Sequence, residues 1–423
     1  MTDTAPDGGS RAWLVMTGSF LCNGLIFGFI NTYSVLYVRI LADLKADNVV
    51  DASSKAALVG SLAIGTTFFL SPIAGILTDR IGVRRTTFLG GLFASSGLVL
   101  SSFLTHKVEA LYLTYGVMFG IGASLAYTPS LVILGHYFQK YLGLVNGFVT
   151  AGSSIFTIAM PFFIDSLLTT LQLPDTLRCL GVIMAAMMLI AALFKPLPQV
   201  NQKIEKAEFR ALLNTEIWQE KRYVIWATVI PLALFGYFVP YVHMVKFVDT
   251  KFPGKDGKLL VTCLGITSGL GRLIFGKIAD NPNVDRIFLQ QMAFVMIGGL
   301  TMLMTAANEF WVLELIALGM GLFDGCFISL LGPIAFDLCG QSGAGQAIGF
   351  LLGFCSLPLT IGPPVAGMLF DRNQSYTLPF LLAGVPPIVG GIVLSLVRCT
   401  PRRPIPSDCD EDHEEREAIT SVA

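Results

Sequence analysis

Residues 75–85 read GILTDRIGVRR and residues 276–286 read GKIADNPNVDR. Both segments place Gly, Asp and Arg at offsets 0, 4 and 10: Gly75, Asp79 and Arg85, then Gly276, Asp280 and Arg286. Each follows a long apolar run. A second pair keeps the same register, since Gly147-Phe148 precede Pro161 as Gly349-Phe350 precede Pro363, with a shift of 202 residues. Gly and Pro are common in this chain, so any one match is weak. Their agreement at a spacing of about 200 residues points to one unit used twice in parallel orientation.

The 423 residues around these segments are 53% hydrophobic and 13% charged, with a mean hydropathy of +0.68. Soluble domains carry about 25% charged residues. A soluble enzyme, a disordered chain and a nucleic-acid binder are thereby excluded, and a net charge of −1 offers no basic field for phosphates. The eight cysteines form no CxxC pair and mostly fall in apolar runs, as packing residues do. The chain lacks a P-loop, a dinucleotide fingerprint, a metal cluster and a nucleophile elbow, so no cofactor, metal or enzymatic activity is expected.

A membrane helix needs about 20 mostly apolar residues. Twelve runs qualify: 12–40, 55–78, 86–105, 109–136, 141–167 and 176–197, then 223–248, 258–279, 287–307, 309–339, 343–370 and 374–397. The reading is an all-α membrane protein of two six-helix bundles, at 12–197 and 223–397. A short N-terminus (1–11), a polar linker (198–222) and an acidic tail (398–423) complete the chain. The side holding both termini and the linker collects seventeen Lys/Arg against ten on the other. The positive-inside rule then makes both termini cytoplasmic. Asn373-Gln374-Ser375 is a glycosylation sequon on the outer side, in a loop that looks too tight for easy modification.

Charges inside an apolar span cost about 2.5–3.5 kcal/mol even on the mildest scale, and they are the first candidates for function. Arg272 lies deep in the eighth span (SGLGRLIFG) and Asp324 in the tenth (GLFDGCF), at similar expected depth. Arg272 offers a planar fork matched to a carboxylate. Asp324 can neutralise it or accept an ammonium group; the bland alternative is an ion pair that only locks two helices. His243, in FGYFVPYVHMVKF, can hydrogen-bond a phenol, carboxylate or amine, or can simply pack. Asn23 and Asn31 in the first span, and Tyr127 before Pro129 in the fourth, serve equally as helix–helix glue or as polar contacts for a substrate. Asp79, Arg80, Arg84 and Arg85 form a basic turn, read either as a solvated positive-inside loop or as a gating loop.

AYTPSLVILGHYF (126–138), LGLVNGFVTAGSSIFTI (142–158), IPLALFGYFVPYVHMVKFV (230–248), GLFDGCFISLLGPIAFDL (321–338) and QAIGFLLGFCSLPLTIGPPVAGM (346–368) resemble the monocarboxylate transporter family. They are most similar to its T-type branch of aromatic amino-acid and thyroid-hormone transporters, from about residue 7 to 397. The resemblance implies the twelve-helix major facilitator fold and a small-molecule substrate: aromatic amino acids, with iodothyronines as further cargo. It implies a charged pair at Arg272 and Asp324, a substrate-clamping histidine at His243, and cavity-lining roles for Asn23 and Tyr127. It assigns the DRIGVRR loop, from Asp79 to Arg85, to gating. It also implies the plasma membrane as the setting and, for some members, an ancillary membrane subunit.

Three departures matter. Asn31 stands where lactate- and pyruvate-carrying members have a proton-coupling lysine, and the usual opening acid-Gly-Gly-Trp-x-Trp survives only as DGGSRAW. The fifth-helix entry, usually basic-basic, reads Lys140-Tyr141. The expectation is therefore facilitative, sodium- and proton-independent transport of aromatic amino acids by alternating access. The rivals are proton-coupled symport of lactate-like monocarboxylates and a transport-dead scaffold.

Overall fold

The computed structural model describes residues 8–138, 142–195, 215–279, 281 and 283–401. Among them there are helices and no strand. Eleven helices are long and apolar enough to cross a membrane, and the pair Ala52–Phe69 and Ser71–Thr78, bent by 44°, makes a twelfth. We number the spans in chain order. Span 1 is Ser10–Ala46, span 2 that bent pair, span 3 Val83–Phe103, span 4 Val108–Gly135, span 5 Leu144–Thr170 and span 6 Leu173–Leu193. The second half has span 7 at Lys221–Lys251, span 8 at Lys258–Ala279, span 9 at Arg286–Ala306, span 10 at Phe310–Cys339, span 11 at Gln346–Asn373 and span 12 at Thr377–Cys399.

Helix ends differ from the sequence reading by a few residues, as charged residues join the terminal turns. Span 7 begins at Lys221, inside the expected linker, because the Glu220 carboxylate accepts from the Arg222 N–H and caps the helix. Helical hydrogen bonding also continues without a break from Phe310 to Asn373, where two separate runs were expected. At about 1.5 Å per residue a straight helix of that length would far exceed a bilayer. The chain doubles back between spans 10 and 11, since Asp324 and Leu359, which a straight helix would hold about 50 Å apart, line one cavity. Most of the linker (196–214), the tail from 402, Lys140, Cys409 and the side chain of Asp79 lie outside the described residues.

Within each half the helices meet through glycine. Gly90 and Gly122 face one another across spans 3 and 4: a Cβ on Gly122 would come within 2.7 Å of the Ala94 Cα, and one on Gly90 within 2.7 Å of the Ala126 N. Lipid supplies no hydrophobic drive between helices, so such close backbone approach is what holds them. The turn between spans 2 and 3 has Gly82 as its one non-helical residue, at φ 89°, which explains the glycine inside DRIGVRR. Breaks fall at equivalent places in the two halves. Thr32 interrupts span 1, with its hydroxyl donating to the Gly28 carbonyl at 2.6 Å, and Phe238 interrupts span 7 just before Pro240.

The halves touch along two equivalent seams, span 2 against span 11 and span 5 against span 8, and also where the outer parts of spans 1 and 7 meet. These seams are the same pair of elements exchanged by the repeat. The termini-bearing side carries ion pairs that stay within the second half, Arg286–Asp337 at 2.7 Å and Arg398–Asp285 at 2.8 Å.

Gly122→Val is expected to destabilise the fold by about 1–3 kcal/mol through overpacking against backbone that cannot yield. Thermal unfolding of the purified protein in detergent checks this as a lower melting temperature.

Candidate functional site: a split charge pair in an apolar cavity

Arg272 and Asp324 are held by a close helix contact in the second half. Gly271 and Gly325, their chain neighbours, let spans 8 and 10 meet backbone to backbone. A Cβ on Gly325 would lie 2.7 Å from the Arg272 N, and one on Gly271 would overlap the Leu322 carbonyl. Both charged side chains face a cavity of about 220 Å³ between the two halves. Asn23, Asn31 and Tyr127 line the same cavity from the first half. Five of the six residues expected to bind substrate are thus brought together.

The walls between them are largely apolar and aromatic. Phe27 and Phe68 contribute from spans 1 and 2, and Phe238 and Phe327 from spans 7 and 10. Phe27 meets Tyr127 edge-on, with ring centroids 5.1 Å apart, and Tyr237 meets Phe327 edge-on at 5.8 Å. Mostly apolar walls with a few convergent polar groups are the general form of a small-molecule site.

The two charges form no ion pair in this conformation. Asp324, 5% exposed, accepts hydrogen bonds from the Tyr237 hydroxyl on one oxygen and from the Ser268 hydroxyl on the other, the latter at 2.5 Å. Arg272 reaches across to span 5 instead, where Nη1 donates to the Thr150 carbonyl and to the Ser153 hydroxyl at 2.7 Å. Its Nε–H is buried without a partner, as is the Asn23 side-chain oxygen. The expected direct neutralisation of Arg272 by Asp324 is therefore replaced by two separate sets of neutral partners. Asn31 donates to the Thr157 hydroxyl at 3.3 Å.

His243 is not at the cavity. It is fully buried toward the side away from the termini. Its Nε2 donates to the Pro363 carbonyl at 2.9 Å, so Nδ1 is the acceptor for the Tyr376 hydroxyl at 3.3 Å. Tyr37 packs edge-on against the imidazole at 4.8 Å, and its hydroxyl lies 3.4 Å from that of Tyr376. Spans 1, 7, 11 and 12 thus converge on one aromatic closure. Beside it, the Asp371 carboxylate of span 11 accepts from the Ser53 N–H at 2.9 Å and the Ser54 N–H at 3.4 Å, capping span 2 from the opposite half. Lys258 of span 8 pairs with Asp165 of span 5 at 2.6 Å. The cavity itself extends toward the termini-bearing side as far as Ile348, in the first turn of span 11. Arg84 and Arg85 are exposed in the first turn of span 3, outside the cavity lining; Arg80, before the turn, is exposed too and holds a contact of its own.

Sequence reading did not single out Tyr237, Ser268, Thr150, Ser153, Tyr37, Tyr376 or Asp371. Tyr237 carried a signal in hindsight, since it stands at the end of a helix segment immediately before a Pro-containing break. The single serines and threonines carried none.

Two six-helix halves around a central cavity are the architecture of a membrane carrier. Residues 14–318 and 249–421 match the Major Facilitator Superfamily. The human organic anion transporter MFSD10 (TETRAN) shares the fold with a TM-score of 0.66 at 15% identity, over 92% of this chain and all of that one. Monocarboxylate transporter 10 of Mus musculus is 47% identical over 407 residues, covering 93% of this chain and 79% of the mouse protein. The Homo sapiens protein of that name is 45% identical over 404 residues, covering 92% and 78%. Monocarboxylate transporter 4 of Gallus gallus is 28% identical over 426 residues, covering 98% and 89%. The chain belongs to the monocarboxylate transporter family of the Major Facilitator Superfamily. It is a multi-pass membrane transporter and not an enzyme.

Asp371→Asn removes the charge from the cross-half cap and is expected to cost the closed face about 1 kcal/mol. Spin labels at Val50 and Lys255, on opposite halves of that face, should then show a larger long-distance population in pulsed dipolar spectroscopy.

Proposed function

We propose that the protein is a facilitative carrier of aromatic amino acids (Trp, Tyr, Phe), extending to iodothyronines, that works independently of sodium and protons. The observation that carries this reading is Arg272: a permanently charged guanidinium with an unpartnered Nε–H, set in a cavity walled by phenylalanine and tyrosine. A substrate carboxylate completes the guanidinium's hydrogen bonding, and an aromatic ring fills the apolar wall that lactate would leave empty. Asp324 lies within the same cavity to receive the amino group, since its two oxygens keep lone pairs beyond the two hydroxyl bonds they already accept. Tyr127 and Asn23 face the ring or its phenol from the first half. The 47% identity to a Monocarboxylate transporter 10, against 28% to a Monocarboxylate transporter 4, supports the aromatic branch.

The conformation described is the inward-facing one, with both termini in the cytoplasm of a cell whose plasma membrane holds the protein. The Tyr37–His243–Tyr376 cluster is the outer closure, and His243 acts there rather than as a ring clamp in this state. Proton coupling lacks a carrier where lactate transporters have one, because Asn31 is a neutral amide bonded to Thr157.

Uptake of labelled tryptophan into proteoliposomes is expected to be the same at pH 6 and pH 7.5 and to need no sodium; acid-stimulated lactate entry in its place would select the proton-coupled rival. Arg272→Lys is expected to lose most tryptophan uptake, because an ammonium cannot reproduce a planar two-point fork. Wild-type uptake by that variant would remove Arg272 from carboxylate binding.

A further inference from the structure

Opposite charges that share a water-poor cavity attract strongly, at roughly 4 kcal/mol for 4 Å separation even at an effective dielectric of 20. Arg272 and Asp324 begin from touching backbones, yet they do not pair. Two hydroxyl bonds stand in the way. Each Asp324 oxygen is anchored by a hydroxyl, one by Tyr237 from span 7 and one by Ser268 from span 8, which fixes where the carboxylate points. Ser268 lies one turn before Arg272 on the same helix, and Tyr237 reaches in from a helix end freed by the Phe238 break. Tyr237 is fixed in turn by edge-on and tilted contacts with Phe327 at 5.8 Å and Tyr241 at 5.6 Å.

We propose that Tyr237 is a positioning residue, which with Ser268 holds the Asp324 carboxylate off Arg272 and so keeps the guanidinium open to a substrate carboxylate. The consequence for binding is specific. A buried charge pair that a ligand must break resists the ligand, because each partner loses a counter-charge as the substrate arrives. Here Asp324 is held by neutral donors while Arg272 keeps an unpartnered Nε–H, so a substrate carboxylate meets Arg272 without displacing Asp324. Removing the Tyr237 hydroxyl takes away one of the bonds that hold the carboxylate, and the guanidinium then competes with the Tyr241 hydroxyl, which also interacts with Asp324, for the oxygen set free. Tyr237→Phe therefore lets Asp324 close onto Arg272 and occlude the site. This inference rests on the assignment of Arg272 to carboxylate binding, and it is tested by a readout that needs no substrate.

The experiment is phenylglyoxal modification of the full-length protein in detergent, with the fraction modified at Arg272 read by peptide mass spectrometry. Modification of Arg272 is expected to fall several-fold in Tyr237→Phe. It should return to the wild-type level in Tyr237→Phe/Asp324→Asn, where the competing charge is gone, and Ser268→Ala should fall in the same direction. Equal modification in wild type and Tyr237→Phe overturns the proposal, and so does a fall that persists in the double variant, which would signal a packing defect. Uptake separates this result from the functional reading. With the proposal correct, Tyr237→Phe raises KM for tryptophan several-fold with Vmax little changed, and the double variant shows no further rise from losing the hydroxyl. If wild type carries no tryptophan while the modification pattern holds, the substrate assignment fails and the positioning role of Tyr237 stands.

Discussion

A guanidinium and a carboxylate held apart inside an apolar cavity are the constraint on which the rest of this molecule depends. Neither charge can be left bare in a low dielectric, and neither is neutralised by the other. Their separate satisfaction demands a hydroxyl from span 7, another from span 8, and a carbonyl and a hydroxyl from span 5. Those demands fix the rotation of three helices about their own axes. The glycines beside the two charges, Gly271 and Gly325, follow from the same requirement, since they set the distance between spans 8 and 10. The charge site and the helix packing are therefore one design problem.

The second organising fact is that the Arg272 bonds cross between the halves while the Asp324 bonds do not. Arg272 is thus a mid-membrane tie on the span 5–span 8 seam, and the Lys258–Asp165 pair is a second tie on that seam. On the equivalent seam, span 2 against span 11, the tie is a carboxylate on backbone amides. Duplication gave the halves matching geometry, yet the chemistry at the two seams has diverged. In the alternating-access cycle proposed above, rocking about the cavity would remake unlike bonds on its two flanks.

Much of this was legible in the amino-acid sequence, for identifiable reasons. The bilayer imposes span lengths, so twelve apolar runs could be counted directly, and the twofold use of one unit showed in the register of Gly75 with Gly276 and Pro161 with Pro363. Arg272 and Asp324 stood out because charges are costly in such runs. Their partners did not, because serine and threonine hydroxyls in membrane helices commonly satisfy themselves on the preceding turn, as Thr67 and Thr78 do here. His243 was visible as an unusual residue, but its facing was not: a helix break at Phe238 lies between it and Tyr237, so no simple periodicity links the two. The π-helical stretch Tyr112–Met118 in span 4 has no sequence mark at all.

The cap on span 2 has a further consequence. The first backbone amides of a helix lack intrahelical acceptors, and for Ser53 and Ser54 the acceptor is borrowed from span 11. The N-cap position itself, Asp51, sits in the left-handed region and offers no side-chain bond. The opening turn of span 2 is thus complete only while the two halves meet at that face. Each time they part, those amides face water, and their hydrogens become free to exchange with solvent. The proposed transport cycle would therefore register in the deuterium uptake of two serine amides that do not line the cavity.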